Sequence, residues 1–160
     1  MSLRWDKYYL KCCLEQAKMS KDPSTQVGAV LVGPDREQIS TGFNGFPRGI
    51  DDDYRLHDSS VKHDIIIHAE MNAILNAARI GTAVKGARMY MIAISSGIIW
   101  SGAPCVRCAT HIIQAGITEV NFIKTSVPDR WKESMDKSMF LMHEAGLTIN
   151  QIELDPSEFT

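Results

Sequence analysis

Apolar residues recur at helical spacing near the N-terminus. Trp5, Tyr8, Tyr9, Cys12, Cys13, Leu14, Ala17 and Met19 are interleaved with lysine and glutamate, which predicts an amphipathic helix over residues 4–19. Lys21-Asp22-Pro23-Ser24-Thr25 is a turn by composition. Val27 to Val32 is a short, almost wholly apolar run, and Pro34-Asp35-Arg36-Glu37 turns the chain toward a second strand at Ile39 to Phe43, antiparallel to the first. Asn44-Gly45 reads as a turn that ends this second strand, inside a constrained loop marked by Gly42, Gly45, Pro47 and Gly49. A polar stretch follows, from Asp51 to His63. Apolar positions 69, 71, 74, 75, 77 and 78 then give a helix, and Ala87 to Ile94 a strand. Residues 95–103 form a loop with an apolar centre at Ile98, Ile99 and Trp100. A helix from Cys105 to Ala115 stops at Gly116, a strand runs from Glu119 to Ile123, a helix from Trp131 to Ala145, and a last strand from Leu147 to Leu154. The order predicts an α/β fold of three layers, α-β-α. Its five-stranded mixed sheet carries helices on both faces, and the later strands are made parallel by helical crossovers.

The 160 residues hold no repeat, linker or low-complexity segment, so residues 1–160 read as a single domain with its core at about 5–150. The net charge of −2 gives no basic surface for DNA, RNA or an acidic membrane, though a small anion could still be held by one or two local cations. No run is long and apolar enough for a membrane span, and Met1 to Trp5 lacks the apolar core of a secretion signal. The four cysteines fall as the pair Cys12-Cys13 and as Cys105-x-x-Cys108, a poor disulfide framework that points to a reducing, cytoplasmic setting.

His68-Ala69-Glu70, with Pro104-Cys105-Val106-Arg107-Cys108 following 37 positions after the histidine, carries the chemistry. His68, Cys105 and Cys108 offer one imidazole and two thiolates, a set suited to one tetrahedral Zn²⁺ per chain, with the fourth position left for water. Glu70 can reach that water without joining the metal, as the general base and then acid of an attack on an amidine-type ring carbon. The combination is the zinc deaminase signature. Two other readings use part of it. A dithiol redox centre leaves His68-Ala69-Glu70 unexplained. A structural zinc knuckle would need a fourth ligand, for which His111 is the only near candidate. His57 and His63 have no compact spacing with Cys12 or Cys13 that would suggest a second metal site.

Four stretches resemble the cytidine and deoxycytidylate deaminases over about residues 5–150: Ser20 to Ala29, Gly42 to Gly49, His68 to Ile74, and Pro104 to Ala109 with Ile112 to Ile117 after it. The first two look specific to the nucleotide-using branch, which implies a cytidine deaminase-like fold and hydrolysis of dCMP to dUMP and ammonia. By that resemblance Asn44 would bind the sugar 3′-hydroxyl and Ala69 would hold the ring through its backbone. Pro104 would be a further substrate contact, and Ser24, Thr25 and Gln26 would lie near the 5′-phosphate. Family members are often hexamers activated by dCTP and inhibited by dTTP, and Arg48 would contact an effector or phosphate. The span from His68 to Cys105 is longer than is usual in the family, most of the excess lying at 95–103, where it could be a lid, a subunit contact or a specificity wall.

A free pyrimidine deoxynucleotide, dCMP first, is therefore the expected substrate. Alternatives are a nucleoside or nucleobase deaminase of cytidine or guanine type, a tRNA-adenosine-type polynucleotide deaminase, and a non-enzymatic zinc scaffold. The polynucleotide reading lacks a basic groove, having only scattered residues such as Arg48, Arg55 and Lys62. Trp5, Tyr8, Trp100, Trp131, Ile98 and Ile99 exceed what a small core needs and predict self-association, from dimer to hexamer.

Overall fold

The computed structural model describes residues 2–159; Met1 and Thr160 lie outside it. Helix α1 spans Leu3–Ala17 and is followed by strands β1 (Gln26–Val32) and β2 (Gln38–Phe43). Helices α2 (Ser59–Ile65) and α3 (Ala69–Ile80) lead to strands β3 (Arg88–Ser95) and β4 (Ile98–Trp100). Helix α4 (Val106–Gln114), strand β5 (Glu119–Ile123), helix α5 (Asp129–Glu144) and strand β6 (Thr148–Ile152) complete the core.

The sheet runs β2-β1-β3-β5-β6, with β4 paired to β3 off this path. Strand β1 is antiparallel to both β2 and β3, whereas β3, β5 and β6 are parallel, because α4 and α5 carry the chain back before each new strand. Side chains alternate across the sheet with a period of two. Leu31, Met89, Met91, Val120 and Phe122 face α3, α4 and α5 in one apolar cluster. Val30, Val32, Tyr90, Ile92 and Ile123 face α1 in the other. Both faces are covered as expected, one by α3, α4 and α5 and the other by α1.

Three expectations change. Residues 95–103 are not all loop: Ser95 pairs with Ile98 and Ala93 with Trp100, so β3 and β4 form a hairpin, giving a sixth strand. Its turn residues Ser96 and Gly97 both take positive φ, 49° and 75°, the pattern of the primed turns that suit a right-twisted hairpin. Asn44-Gly45 does follow the end of β2 at Phe43, as expected, but it makes no left-handed turn. The chain runs on from β2, and Gly45 pairs with Ile67 just ahead of α3. The polar stretch from Asp51 to His63 folds into a 3₁₀ turn at Tyr54–Leu56 and helix α2, capped by the side chains of Asp53 and Asp58.

Gly42 sets how closely α3 lies on β2. A Cβ there would stand 2.3 Å from the Ala69 carbonyl oxygen and 2.4 Å from the Ala73 nitrogen, so only glycine lets the helix start sit this deep. Asn72 and Asn76 donate side-chain hydrogen bonds to the Phe43 and Thr41 carbonyls at 2.7 Å each, fixing the same contact from the helix's polar edge.

Candidate active site

His68 and Cys105 are the N-cap residues of α3 and α4, and neither uses its side chain to cap its helix. Both side chains are thereby free to face each other across the two helix starts. The first amide of α4 is satisfied from elsewhere, by Ser134 Oγ of α5 accepting from Val106 N–H at 3.0 Å. Cys108 lies one turn into α4, and its sulfur and that of Cys105 lie 3.4 and 3.5 Å from His68 Nδ1. A tetrahedral zinc bonded at about 2.3 Å to sulfur and about 2.0 Å to nitrogen puts its N···S edges at about 3.5 Å. These three residues therefore fit zinc without rearrangement, and they are the one such His/Cys/Asp/Glu group among the described residues. His111 is exposed, its Nδ1 lying 2.7 Å from the Arg107 carbonyl, and supplies no fourth ligand. His57 and His63 join no metal-binding group either.

The electrostatics suit that ligand set. A hydrogen bond with Cys108, another with His68, and the imidazole's charge pull the Cys105 thiol down to about 4, against the opposing effect of burial. The same contact with Cys105 raises His68 to about 8. Cys108 is pushed up, first by sharing its hydrogen with Cys105 and then by burial. Glu70 is 6% exposed, and burial pushes its carboxyl above the ordinary range while the nearby imidazole pulls it back. A carboxyl held beside the ligand group in this way is placed to take and to give a proton.

The metal-ligating group and Glu70 open into a cavity of about 350 Å³, within the usual range for a small-molecule site. Ser24, Thr25, Asn44, Ala69 and Cys105 line it. Pro104 is buried between two lining residues, Ala103 and Cys105, without lining the cavity itself. Gln26 and Arg48 do not line it. Gln26 donates to the Ser20 carbonyl, and Arg48 is exposed and donates to Asn76 Oδ1 at 2.7 Å. Asn44 is buried, with Oδ1 accepting from Val27 N–H at 2.7 Å and Nδ2 donating to the Thr25 carbonyl at 2.8 Å and to Asp22 at 3.4 Å. Its amide is thus fixed, leaving one Oδ1 lone pair to accept a hydroxyl.

Several lining residues escaped the sequence reading. Asp22 and Lys62 form an ion pair at 3.0 Å in the cavity wall, both side chains 6% exposed. Arg130 and Trp131 come from the first turn of α5, and Trp100 and Ser101 from the hairpin and its exit. A lysine inside a polar run and an arginine on a helix start look like solvated surface until the fold turns them inward. Only the apolar centre of 95–103 carried a signal. Of the large groups expected to seek a partner, Trp100 is buried, Trp5 stacks on Tyr9 and Trp131 joins the core wall; Tyr8 and Ile98 stay exposed.

Residues 3–124 match the family model described as the cytidine and deoxycytidylate deaminase zinc-binding region. The chain is 35% identical over 155 residues to the deoxycytidylate deaminase of Homo sapiens, covering 93% of this chain and 80% of that one. It is 34% identical over 158 residues to an uncharacterized deaminase of Aliivibrio fischeri, covering 97% and 98%. The fold is that of the dCMP deaminase of cyanophage S-TIM5, solved in complex with dCMP and dUMP, at a TM-score of 0.74 and 21% identity over 95% of this chain and 99% of that one. Ligand spacing, fold and sequence agree: the chain belongs to the cytidine and deoxycytidylate deaminase family of zinc-dependent hydrolytic deaminases.

Proposed function

We propose that this chain, as one domain, converts dCMP and water to dUMP and ammonia. The observation that carries the proposal is a His-Cys-Cys group of zinc dimensions beside a buried carboxyl, on the wall of a nucleotide-sized cavity. His68, Cys105 and Cys108 would hold the metal. When bound, zinc supplies Lewis acidity that makes water a nucleophile near neutral pH. Glu70 takes one proton from the attacking water and delivers it to the ring nitrogen, then takes the second from the hydroxyl now on the ring carbon and delivers it to the amino group, which departs as ammonia. Asn44 accepts the sugar 3′-hydroxyl on its remaining lone pair, Ala69 holds the ring through its backbone, and Ser24 and Thr25 face the phosphate. The kinship with deoxycytidylate deaminases in sequence and fold supports the choice of substrate.

The test is ammonia release by the zinc-loaded protein from dCMP, CMP, deoxycytidine, guanine and an RNA hairpin. The proposal requires dCMP to be turned over fastest, and faster turnover of any unphosphorylated compound refutes it. Two accessory readings go with it. All four cysteines are free, in keeping with a reducing, cytoplasmic setting, and no helix among the described residues is long and apolar enough to cross a membrane. The chain self-associates, since Tyr54, Ile80, Ile98 and Phe140 leave large apolar surface outside the core. Any control by dCTP or dTTP would act through Arg48 from outside the cavity, where that residue now meets Asn76.

A further inference from the structure

His68 and Cys105 open their helices in the same way, yet the first amide of each helix is treated differently. In α3 that amide is Ala69 N–H, which has no hydrogen-bond partner among the described residues, and Ala69 lines the cavity. In α4 it is Val106 N–H, and Ser134 Oγ reaches across from α5 to accept it at 3.0 Å. A helix start can leave such an amide to water, so the fold does not demand this bond.

What the bond fixes is the peptide unit between Cys105 and Val106. That unit is planar, so its carbonyl and its N–H move as one body. The carbonyl end accepts from Ala109 N–H at 2.9 Å inside α4, and the N–H end is held by Ser134 from outside it. Cys105 stands at φ −63° and ψ 160°, an extended conformation, while the chain from Val106 onward is helical. Rotation about the Cα–C bond of Cys105 would therefore swing α4, and Cys108 with it, relative to the Cys105 sulfur. The sulfurs of Cys105 and Cys108 stand 3.5 and 3.4 Å from His68 Nδ1, the spacing that a tetrahedral zinc requires. One torsion decides whether both keep it.

Helix α5 contains a second serine for comparison. Ser138, one turn further on, is fully buried, and its hydroxyl has no partner among the described residues. Both serines fill space in α5, but only Ser134 holds a backbone group of the metal-binding helix.

Building on the deaminase reading above, we propose that Ser134 is a positioning residue for the metal group. Its hydroxyl holds the Cys105–Val106 peptide and thereby sets the geometry of the two cysteine sulfurs and the affinity for zinc.

Competition with a chromogenic chelator at fixed pH, on the full chain, reads zinc affinity without turnover. Ser134→Ala should weaken it ~10- to 100-fold, the scale for groups that orient metal ligands from outside the ligand set. Ser138→Ala, in the same helix, should leave it unchanged. Ser134→Thr and Ser134→Val have the same shape and differ in the hydroxyl, so the threonine variant should bind zinc more tightly. That pair decides the matter if Ser134→Ala does not fold. With Co²⁺ in place of zinc, the thiolate charge-transfer and ligand-field bands should shift in Ser134→Ala and not in Ser138→Ala, a change that lost packing alone does not produce. Zinc affinity unchanged in Ser134→Ala, equal losses at Ser134 and Ser138, threonine and valine variants alike, or unshifted cobalt bands would each overturn the role. A selective loss at Ser134 upholds it even if no substrate in the panel is turned over, the result that would sink the deaminase reading instead.

Discussion

Glu70 and the metal ligands can be separated by substitution, because the carboxyl is buried beside the ligand group without being part of it. Glu70→Gln should keep about one zinc per chain and its fold while losing at least the ~10²–10⁴-fold typical of general acid–base help. His68→Ala and Cys105→Ala should lose the metal itself; zinc content measured beside kcat distinguishes the two outcomes. Acid should compete with the metal at His68. Its raised value of about 8 means that below that pH zinc must displace a proton, so zinc affinity falls as pH falls, which titration against a chromogenic chelator would follow. These four residues were legible in the sequence because metal chemistry restricts which side chains can serve and at what spacing. Asp22, Lys62 and Arg130 were not, since nothing in a Lys or Arg codon's neighbourhood says that the helix bearing it will close a cavity. Gln26, Pro104 and Arg48 show the converse: each sits next to a lining residue or a site loop in sequence, yet none of them lines the cavity, Gln26 and Arg48 being engaged by Ser20 and Asn76 instead.

At the scale of elements, α3 reaches the metal group only because β2 offers it a bare backbone. Gly42→Ala would drive a methyl into the Ala69 carbonyl. It should lower stability by about 1–3 kcal/mol, as overpacking does, and weaken zinc binding through displacement of His68. Thermal melts with and without added zinc would separate the two effects. The strands β1, β3 and β5 could be read from apolar runs too short for helices, and α4 from its Pro104 entry and Gly116 stop. Strand β4 could not. Three residues make little periodicity, and Ser96-Gly97 is a fainter hairpin signal than the Asn44-Gly45 pair that turned out to extend the chain. Helix α2 was hidden because its one buried contact is an ion pair rather than an apolar stripe.

Over the whole molecule, the parallel arrangement of β3, β5 and β6 followed from the crossover rule, but the placement of β1 between β2 and β3 had no local signal. It depends on which edge the first hairpin adds to, a choice made by long-range packing. Sedimentation at micromolar concentration should give a species heavier than one chain, and a clean monomer with and without nucleotide would refute self-association. Stripping the metal with a chelator should lower the melting temperature and expose Cys105 and Cys108 to alkylation, while Cys13, fully buried on the inner face of α1, stays protected until unfolding.

His68 and Cys105 stand 37 residues apart in sequence, and the segment between them contains β3, the strand at the centre of the sheet. A bond to one ion closes that segment into a ring, much as a disulfide would, but without requiring an oxidising compartment. The ring can be opened by scarcity rather than by reduction. Chains made when zinc is short would carry their central strand on an unclosed loop and would be the first cleared by proteolysis, so abundance of the protein, and not its turnover alone, would follow the metal supply.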